Sequence, residues 1–465
     1  MNPVGVSGAL VFGGSGTGRT GDQFIKTWTK GFGPRLGFAY ALNSKTIIRA
    51  SGGIYYSDQA VSGGYTAGFT ASPSFSSSDN YTPVYNWGTA SFPQNYNRPP
   101  QLIPEFQNNQ SITWLLKDGT RLPQIMSWTI AIQREVAPNL SLDVAYIGSH
   151  STHLAAGSNF NFVDKKYLSL GNLLLQAPGS PGAAASGVSV PFPAFPTYSR
   201  NTVAQALMPF PQYTSVGTGA ENDPVGSARF NSLQVKATKR YSNGLTLLAF
   251  WTWMKNMSTL QSVQYTPYRP ITYSGDSPPH TLVINASYEL PFGPRKKFLN
   301  SGNPALQAVL GGWNLAGYFR YTDGSALSFT ATNNLSVLGY GAKFANYVSG
   351  VPIFGVTNPR DFDPAVSRYF APAGAFVTPP AYEFGNTAPT LDWVRGFTQK
   401  AESVSLGKAF PIKEKIHAQF RMDVNNPFNF VRWGAPNTSF TSADYGRVTS
   451  SAEGRKVQLY LAVEF

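Results

Sequence analysis

The feature that most constrains this fold is a repeated alternation of apolar and polar side chains with a period of two. Residues 416–425, IHAQFRMDVN, show it clearly, because every second side chain is apolar and those between are mainly polar. Successive side chains of a β-strand point to opposite faces, so the pattern predicts strands with one apolar and one polar face. Comparable segments begin near Leu36, Trp128, Leu245 and Leu282. The sequence therefore predicts an all-β, antiparallel fold built from hairpins.

The connections between these segments alternate between short turns and very long stretches. Short turns occur at residues 43–45, 137–139 and 242–244, and the Asn-Gly pair in the last accepts the positive φ of a tight hairpin. Long loops without secondary structure are uncommon in compact soluble domains but normal on the extracellular side of outer-membrane barrels. We therefore predict long extracellular loops near residues 57–126, 149–228, 255–280, 323–400 and 425–455.

Composition supports a fold embedded in a membrane. Charged residues make up 13% of the chain, about half the usual share, and aromatic residues reach 14%. No apolar run approaches the roughly 20 residues of a membrane-spanning helix, so strands of about 9–11 residues would have to cross the bilayer. We predict an irregular segment over residues 1–30 and an antiparallel transmembrane β-barrel of about 12 strands over residues 31–465.

The alternation also assigns side chains to the two faces of the predicted barrel. Tyr and Trp concentrate at membrane interfaces, where one part of the ring meets hydrocarbon and the other meets water. Polar side chains of the same strands would line an aqueous lumen. The predicted lipid-facing side chains are Trp128, Tyr146, Trp251, Trp253, Trp313 and Phe319. The predicted lumen-lining side chains are Arg49, Lys236, Arg320, Arg421 and Asp423.

Signals for catalysis and nucleic-acid binding are weak in this chain. GGSGTGRT, residues 13–20, resembles a phosphate-binding loop, but no helical apolar repeat follows it, as such a loop requires. His150 and His153 have no third zinc ligand nearby. The 36 basic and 23 acidic residues give a net charge of +13 that is scattered rather than clustered. We predict that the protein is not an enzyme, holds no cofactor or metal, and does not bind nucleic acid.

The C-terminal segment KVQLYLAVEF carries the most specific local pattern. Apolar side chains occupy every second position, at Val457, Leu459, Leu461, Val463 and Phe465. The pattern resembles the C-terminal signal by which the outer-membrane β-barrel assembly machinery recognises its substrates. We therefore predict that this machinery and outer-membrane lipid are partners of the chain, in an outer membrane of the Gram-negative type.

Several segments of the chain together carry a family resemblance: residues 31–57, 127–154, 230–258, 280–293 and 310–324, followed by IHAQFRMDVNNPFNF and the C-terminal strand. They resemble the Oar-like family of TonB-dependent receptors. Receptors of this family have an N-terminal carboxypeptidase-regulatory-like domain, a plug and a C-terminal barrel. The resemblance implies a receptor for energised passage of an unknown ligand across the outer membrane, with TonB acting through a plug that is not present in this chain.

Two departures from the family pattern bear on this interpretation. Barrels of this family are expected to have 22 strands, against about 12 counted in this sequence. No plug, TonB box or signal peptide precedes Gly31. We therefore expect a partial 22-stranded barrel in an N-terminally truncated receptor. Two alternatives stay open, namely a self-contained passive outer-membrane pore and a soluble, secreted all-β binding module.

Overall fold

A computed structural model gives the fold of most of the chain. Its described part is residues 1–465 without 18, 22–27, 58–80, 84–87, 89–101, 115–120, 157–158, 219–223, 260–270, 274–276, 301–302, 341–343, 357–360, 373, 414–415 and 453. Within that part, residues 1–30 contain no helix or strand.

Strands dominate the secondary structure. The helices are short: α1 (Pro181–Ala185), α2 (Val203–Ala206) and α3 (Pro304–Leu310), with 3-10 helices at Lys165–Leu175, Phe195–Thr197 and Asn334–Leu338. Among the described residues, no helix has the length and apolar character that crossing a membrane requires. The strands are β1 (Arg35–Asn43), β2 (Thr46–Tyr56), β3 (Ser111–Trp114), β4 (Gln124–Ala137), β5 (Leu140–Leu154), β6 (Ser215–Thr218), β7 (Gly226–Ser242), β8 (Leu245–Thr259), β9 (Ile271–Tyr273), β10 (His280–Glu289), β11 (Trp313–Thr322), β12 (Ala326–Leu327), β13 (Asn346–Tyr347), β14 (Phe376–Val377), β15 (Leu391–Arg395), β16 (Gln399–Lys413), β17 (Ile416–Asn425) and β18 (Lys456–Glu464).

Twelve of these strands form one antiparallel sheet, which we call the large sheet, and eleven of them follow one another along its path. Its order is β1-β2-β4-β5-β7-β8-β10-β11-β16-β17-β18, and β9 pairs with β8 beside this path. Each long strand therefore pairs with the long strand that follows it in sequence, as expected for successive hairpins. The antiparallel architecture confirms the fold class that the alternation predicted, with a strand number close to the expected value of about 12.

Short turns join strands at one end of the large sheet. Between β7 and β8, Asn243 and Gly244 have φ angles of 52° and 79°. A two-residue hairpin turn of this type needs positive φ at both positions, which Asn and Gly adopt at little cost. β16 continues to Lys413 and β17 begins at Ile416, and residues 414–415 between them lie outside the described chain.

Several strands extend into the segments predicted as loops. β5 runs to Leu154 and β7 begins at Gly226, so the connection predicted over residues 149–228 is shorter at both ends. β8 likewise continues to Thr259. These three strands have 15, 17 and 15 residues, more than the roughly 9–11 that cross a bilayer. Part of each strand would therefore lie outside the hydrocarbon.

The long connections contain packed cores, where the sequence predicted irregular loops. The cores were missed because Ser, Gly, Pro and Asn dominate these segments and the apolar residues among them follow no period. Connection core 1 unites the β5–β7 and β11–β16 connections through Val163, Leu174, Ala183, Val203, Ala204, Met208, Leu335, Leu338, Tyr340 and Tyr382. Connection core 2 unites the β11–β16 and β17–β18 connections through Leu327, Phe329, Ala331, Ala345, Phe362, Tyr369, Phe370, Ala375, Phe376, Leu391, Val394, Phe397 and Val448.

Candidate functional site

Strand register divides the large sheet into a polar face and an apolar face. Directly paired residues of neighbouring antiparallel strands lie on the same face. One row of paired residues runs from Asp143 through Lys236, Phe250 and Val283 to Arg320. By the same register, all five predicted lumen-lining residues share this polar face: Arg49, Lys236, Arg320, Arg421 and Asp423. The predicted lipid-facing residues share the apolar face: Trp128, Tyr146, Trp251, Trp253, Trp313 and Phe319.

The apolar face is largely uncovered by protein. Leu36, Trp253 and Leu461 have exposed fractions of 81%, 51% and 74%. Of the buried apolar side chains in the described chain, only Ala131 and Val283 belong to the large sheet, and both lie on the polar face. Leaving apolar surface in water costs roughly 25 cal/mol per Å², and a large contiguous patch marks a membrane or binding surface. The exposed pattern therefore suits a sheet surrounded by hydrocarbon.

The polar face carries both paired and unpaired charges. Arg49 Nη2 lies 2.7 Å from Asp143 Oδ2, and Arg421 Nε lies 3.0 Å from Asp423 Oδ2. Lys236 and Arg320 are exposed and form no ion pair within the described residues. Lys236 is also the register partner of Asp143, whose nearer contact is Arg49. The predicted residues of this face are thus spread over β2, β7, β11 and β17, and positive charge is in excess among them.

A hollow of about 680 Å³ opens on the polar face near the short-turn end of the strands. Nine of the fourteen residues that line it have side chains that can donate or accept hydrogen bonds, although most of the wall surface is apolar. Its polar lining consists of Lys236, Thr238, Lys239, Thr246, Asn285, Ser287, Tyr318, Ser403 and Ser405. Lys236 is one of the predicted lumen-lining residues, whereas the hydroxyl side chains were not predicted, because Ser and Thr on alternate strand positions are common in any half-exposed sheet.

Two buried charged side chains, Lys408 and Glu402, lie on the apolar face and were not predicted. Lys408 Nζ donates to the backbone carbonyl oxygens of Ala308 and of Val309, the latter at 3.1 Å. Glu402 accepts a hydrogen bond from Arg432 at 2.8 Å and its side chain is 2% exposed. Both charges are covered by connections that supply their partners, so they avoid the cost of an unpaired charge in an apolar setting. The sequence did carry a signal for both residues, because each places a charge at a position where the alternation of its strand expects an apolar side chain.

The comparison with known families settles the class of the protein. The family model described as "Outer membrane beta barrel domain" matches residues 2–458. The chain belongs to this family. The barrel therefore lies in the outer membrane. No curated protein matches the chain.

Solved structures of outer-membrane proteins are similar to this barrel over much of its length. The ferripyoverdine receptor of Pseudomonas aeruginosa is 12% identical, with a TM-score of 0.37, 93% of this chain covered and 32% of that chain. The transporter YddB of Escherichia coli is 9% identical, with a TM-score of 0.41 and coverages of 93% and 40%. The iron transporter FrpB of Neisseria meningitidis is 11% identical, with a TM-score of 0.36, and the match covers 93% of this chain and 39% of that chain. This barrel thus spans between a third and two fifths of those chains, and its family assignment depends on the family match alone.

The C-terminal strand of the barrel presents its predicted signal residues on the apolar face. Val457, Leu459, Leu461 and Val463 pair in register with apolar residues of β17 and are 53–74% exposed. Phe465 follows the last strand residue and is 98% exposed. Recognition of these residues by the assembly machinery stays a prediction.

His150 and His153, which the sequence analysis weighed as zinc ligands, lie at the end of β5 away from the short turns. His150 pairs in register with Met126 and with Arg229, and His153 has a positive φ of 58° at a register shift. Across the described residues, no group of three or more His, Cys, Asp or Glu side chains could hold a metal ion.

Proposed function

We propose that this barrel is part of a TonB-dependent receptor that carries a polar ligand across the outer membrane along the polar face of the large sheet. The observation that carries the proposal is the accumulation of charged and hydroxyl side chains on the face opposite the exposed apolar side chains. Lys236 and Arg320 form no ion pair within the described chain, and hydroxyl side chains surround the hollow beside Lys236. Such a face would attract anionic or hydrogen-bonding groups of a ligand.

TonB energises this transport in the proposal, acting through a plug. The support is the resemblance of the hairpin segments to Oar-like receptors. The unpaired outer edges of β1 and β18 in the described sheet are consistent with further strands of a barrel of about 22, since a bilayer cannot satisfy exposed edge groups. A passive pore remains the second candidate, because the polar face alone would also favour diffusion of hydrophilic solutes.

The test uses cells that carry the native locus and measures accumulation of radiolabelled ferric chelates, oligosaccharides and peptides, with and without TonB. We expect at least one of these probes to accumulate only when both the locus and TonB are present. Accumulation that needs the locus but not TonB would favour the passive pore. Equal accumulation after deletion of the locus would reject transport of these ligand classes by the barrel.

Variants that reverse charges on the polar face then test whether the ligand passes along this face. Lys236→Glu combined with Arg320→Glu should lower the initial rate of uptake by about tenfold or more, the factor that corresponds to about 1.4 kcal/mol. The matched control is Lys45→Glu with Arg134→Glu, two exposed cations near a short turn of the sheet. Equal effects of the two pairs would contradict the assignment of the path to the polar face.

A further inference from the structure

The connection between β10 and β11, residues 290–312, forms an apolar groove at the short-turn end of the large sheet. Its volume of about 750 Å³ lies within the range of small-molecule sites, roughly 300–1,000 Å³. Trp313 and Leu406 belong to the apolar face, so the groove is continuous with the lipid-facing surface. Seven apolar residues line it: Leu290, Phe292, Phe298, Leu299, Leu310, Trp313 and Leu406.

The position of the groove indicates which leaflet it meets. The backbone N–H of Glu289 donates to the carbonyl oxygen of Gly244 at 2.8 Å, so the connection lies directly beside the β7–β8 turn. Outer-membrane barrels have their short turns on the periplasmic side. The groove therefore faces the periplasmic leaflet, which consists of phospholipid.

Internal hydrogen bonds hold the groove open and satisfy its polar groups. Trp313 Nε1 donates to the carbonyl oxygen of Val309 at 2.9 Å, and Gln307 Nε2 donates to that of Leu299 at 2.9 Å. Lys408 also donates to carbonyl oxygens at the end of α3. These polar groups already have hydrogen-bond partners and need none from a ligand, so an apolar chain is the ligand that suits the wall.

Cations lie next to this apolar wall. Lys296 is already neutralised, because its Nζ lies 2.6 Å from Glu289 Oε2. Arg295 and Lys297 are exposed and make no ion pair within the described residues. Lys297 Nζ lies 5.5 Å from the ring centroid of Phe298, which lines the groove, so positive charge borders its mouth.

We propose that this groove binds an anionic phospholipid of the periplasmic leaflet. An acyl chain would pack against the apolar wall, and the phosphate would lie against Arg295 and Lys297. Basic residues beside apolar surface at a membrane interface attract anionic lipid headgroups, and each buried methylene of the chain adds to the affinity. The site is separate from the transport path, which lies on the opposite face of the sheet.

Native mass spectrometry of the purified protein in detergent tests the proposal, with phosphatidylglycerol as the anionic probe and phosphatidylcholine as the zwitterionic one. Phosphatidylglycerol should bind more tightly. Arg295→Gln with Lys297→Gln should weaken its binding by about thirtyfold, or roughly fivefold for each cation, and should leave phosphatidylcholine binding nearly unchanged. The matched control, Lys45→Gln with Arg134→Gln, removes two exposed cations near another short turn and should change neither.

Equal binding of the two lipids by the unmodified protein would overturn the proposal. The proposal would also be overturned if the control variant lost as much phosphatidylglycerol binding as the test variant. A dimer of this chain whose formation excludes phosphatidylglycerol would likewise overturn it, because a second copy would then occupy the groove.

A second measurement does not depend on the charge variants. Phosphatidylglycerol with brominated acyl chains should quench the fluorescence of the folded protein in phosphatidylcholine vesicles more than brominated phosphatidylcholine does. Trp313→Phe should remove this excess quenching. If the excess persists in Trp313→Phe, or is absent from the unmodified protein, the acyl chain does not occupy this groove.

Discussion

Two tyrosines of the connections, Tyr369, which is buried, and Tyr445, which is partly buried, differ by a single hydrogen bond. Tyr369 Oη donates to the carbonyl oxygen of Arg395 at 2.5 Å. Tyr445 stacks on Phe370 at 5.1 Å between ring centroids, and its hydroxyl has no hydrogen-bond partner within the described chain. Both rings pack in connection core 2. The pair therefore separates the contribution of the hydroxyl from that of the ring.

We expect Tyr369→Phe to lower the free energy of unfolding by about 1 kcal/mol, because it leaves the Arg395 carbonyl without this donor. Tyr445→Phe should be neutral or slightly stabilising, since it removes an unsatisfied buried hydroxyl. Denaturant titration in detergent, followed by near-ultraviolet circular dichroism, measures both. A larger loss for Tyr445→Phe than for Tyr369→Phe would contradict the assigned hydrogen bonding.

The same tyrosines predict an alkaline limit for connection core 2. Burial raises the pKa of Tyr369 to about 12 and that of Tyr445 to about 12, from 10.0. The folded state then holds more protons than the unfolded state, so stability is complete below pH 10 and falls as pH rises from about 10 to 12. Tyrosinate absorbance and near-ultraviolet circular dichroism should change together in that range. Full ionisation of both tyrosines near pH 10 without loss of structure would reject the burial.

At the scale of single residues, the sequence predicted the sheet face on which a strand residue lies better than it predicted that residue's hydrogen-bond partners. Arg49 and Lys236 lie on the predicted face because strand alternation is a local property. The partners of Lys408 could not be predicted, because its hydrogen bonds go to Ala308 and Val309, a hundred residues earlier in the chain. Long-range backbone contacts of this kind leave no period in the sequence.

Among the elements, the long strands were predictable and the short ones were not. β10 keeps an apolar residue at every second position, from Leu282 to Tyr288, and pairs on both sides over most of its length. β13 and β14 have two residues each and pair across 28 intervening residues of the β11–β16 connection. Two residues carry no period, so tertiary packing, including the stack of Phe329 on Phe376, determines their conformation.

The Glu402–Arg432 ion pair joins the β17–β18 connection to the apolar face. Arg432→Met should destabilise the protein by about 3–5 kcal/mol, because it leaves the Glu402 carboxylate buried and unpaired. The double variant Glu402→Leu with Arg432→Met should recover most of this loss. Thermal unfolding in detergent gives these values.

An exposed pair in the same connection provides the control. Arg447 lies 3.0 Å from Asp444, and both side chains are more than half exposed. Arg447→Met should cost less than about 1 kcal/mol. Comparable losses for Arg432→Met and Arg447→Met would show that the Glu402 carboxylate is solvated rather than covered.

At the scale of the whole molecule, the relative direction of the two edge strands, β1 and β18, decides whether the large sheet can close on itself. β1 and β18 are separated by ten antiparallel pairings along the path, so they run in the same direction. Direct closure between them would require a parallel pair, whereas every other pairing along the path is antiparallel. The receptor proposal accounts for both edges through additional antiparallel strands, because a bilayer leaves no other partner for their backbone groups.

The central claim is that alternate side chains of the large sheet meet hydrocarbon and water. The chain has no cysteine, so single cysteines can be introduced along β10 without background. Six variants, Leu282→Cys, Val283→Cys, Ile284→Cys, Asn285→Cys, Ala286→Cys and Ser287→Cys, would be reconstituted in lipid vesicles and treated with a membrane-impermeant maleimide. Fast labelling at 283, 285 and 287 with protection at 282, 284 and 286 is the predicted result. Uniform labelling along the strand, or the opposite alternation, would contradict the account.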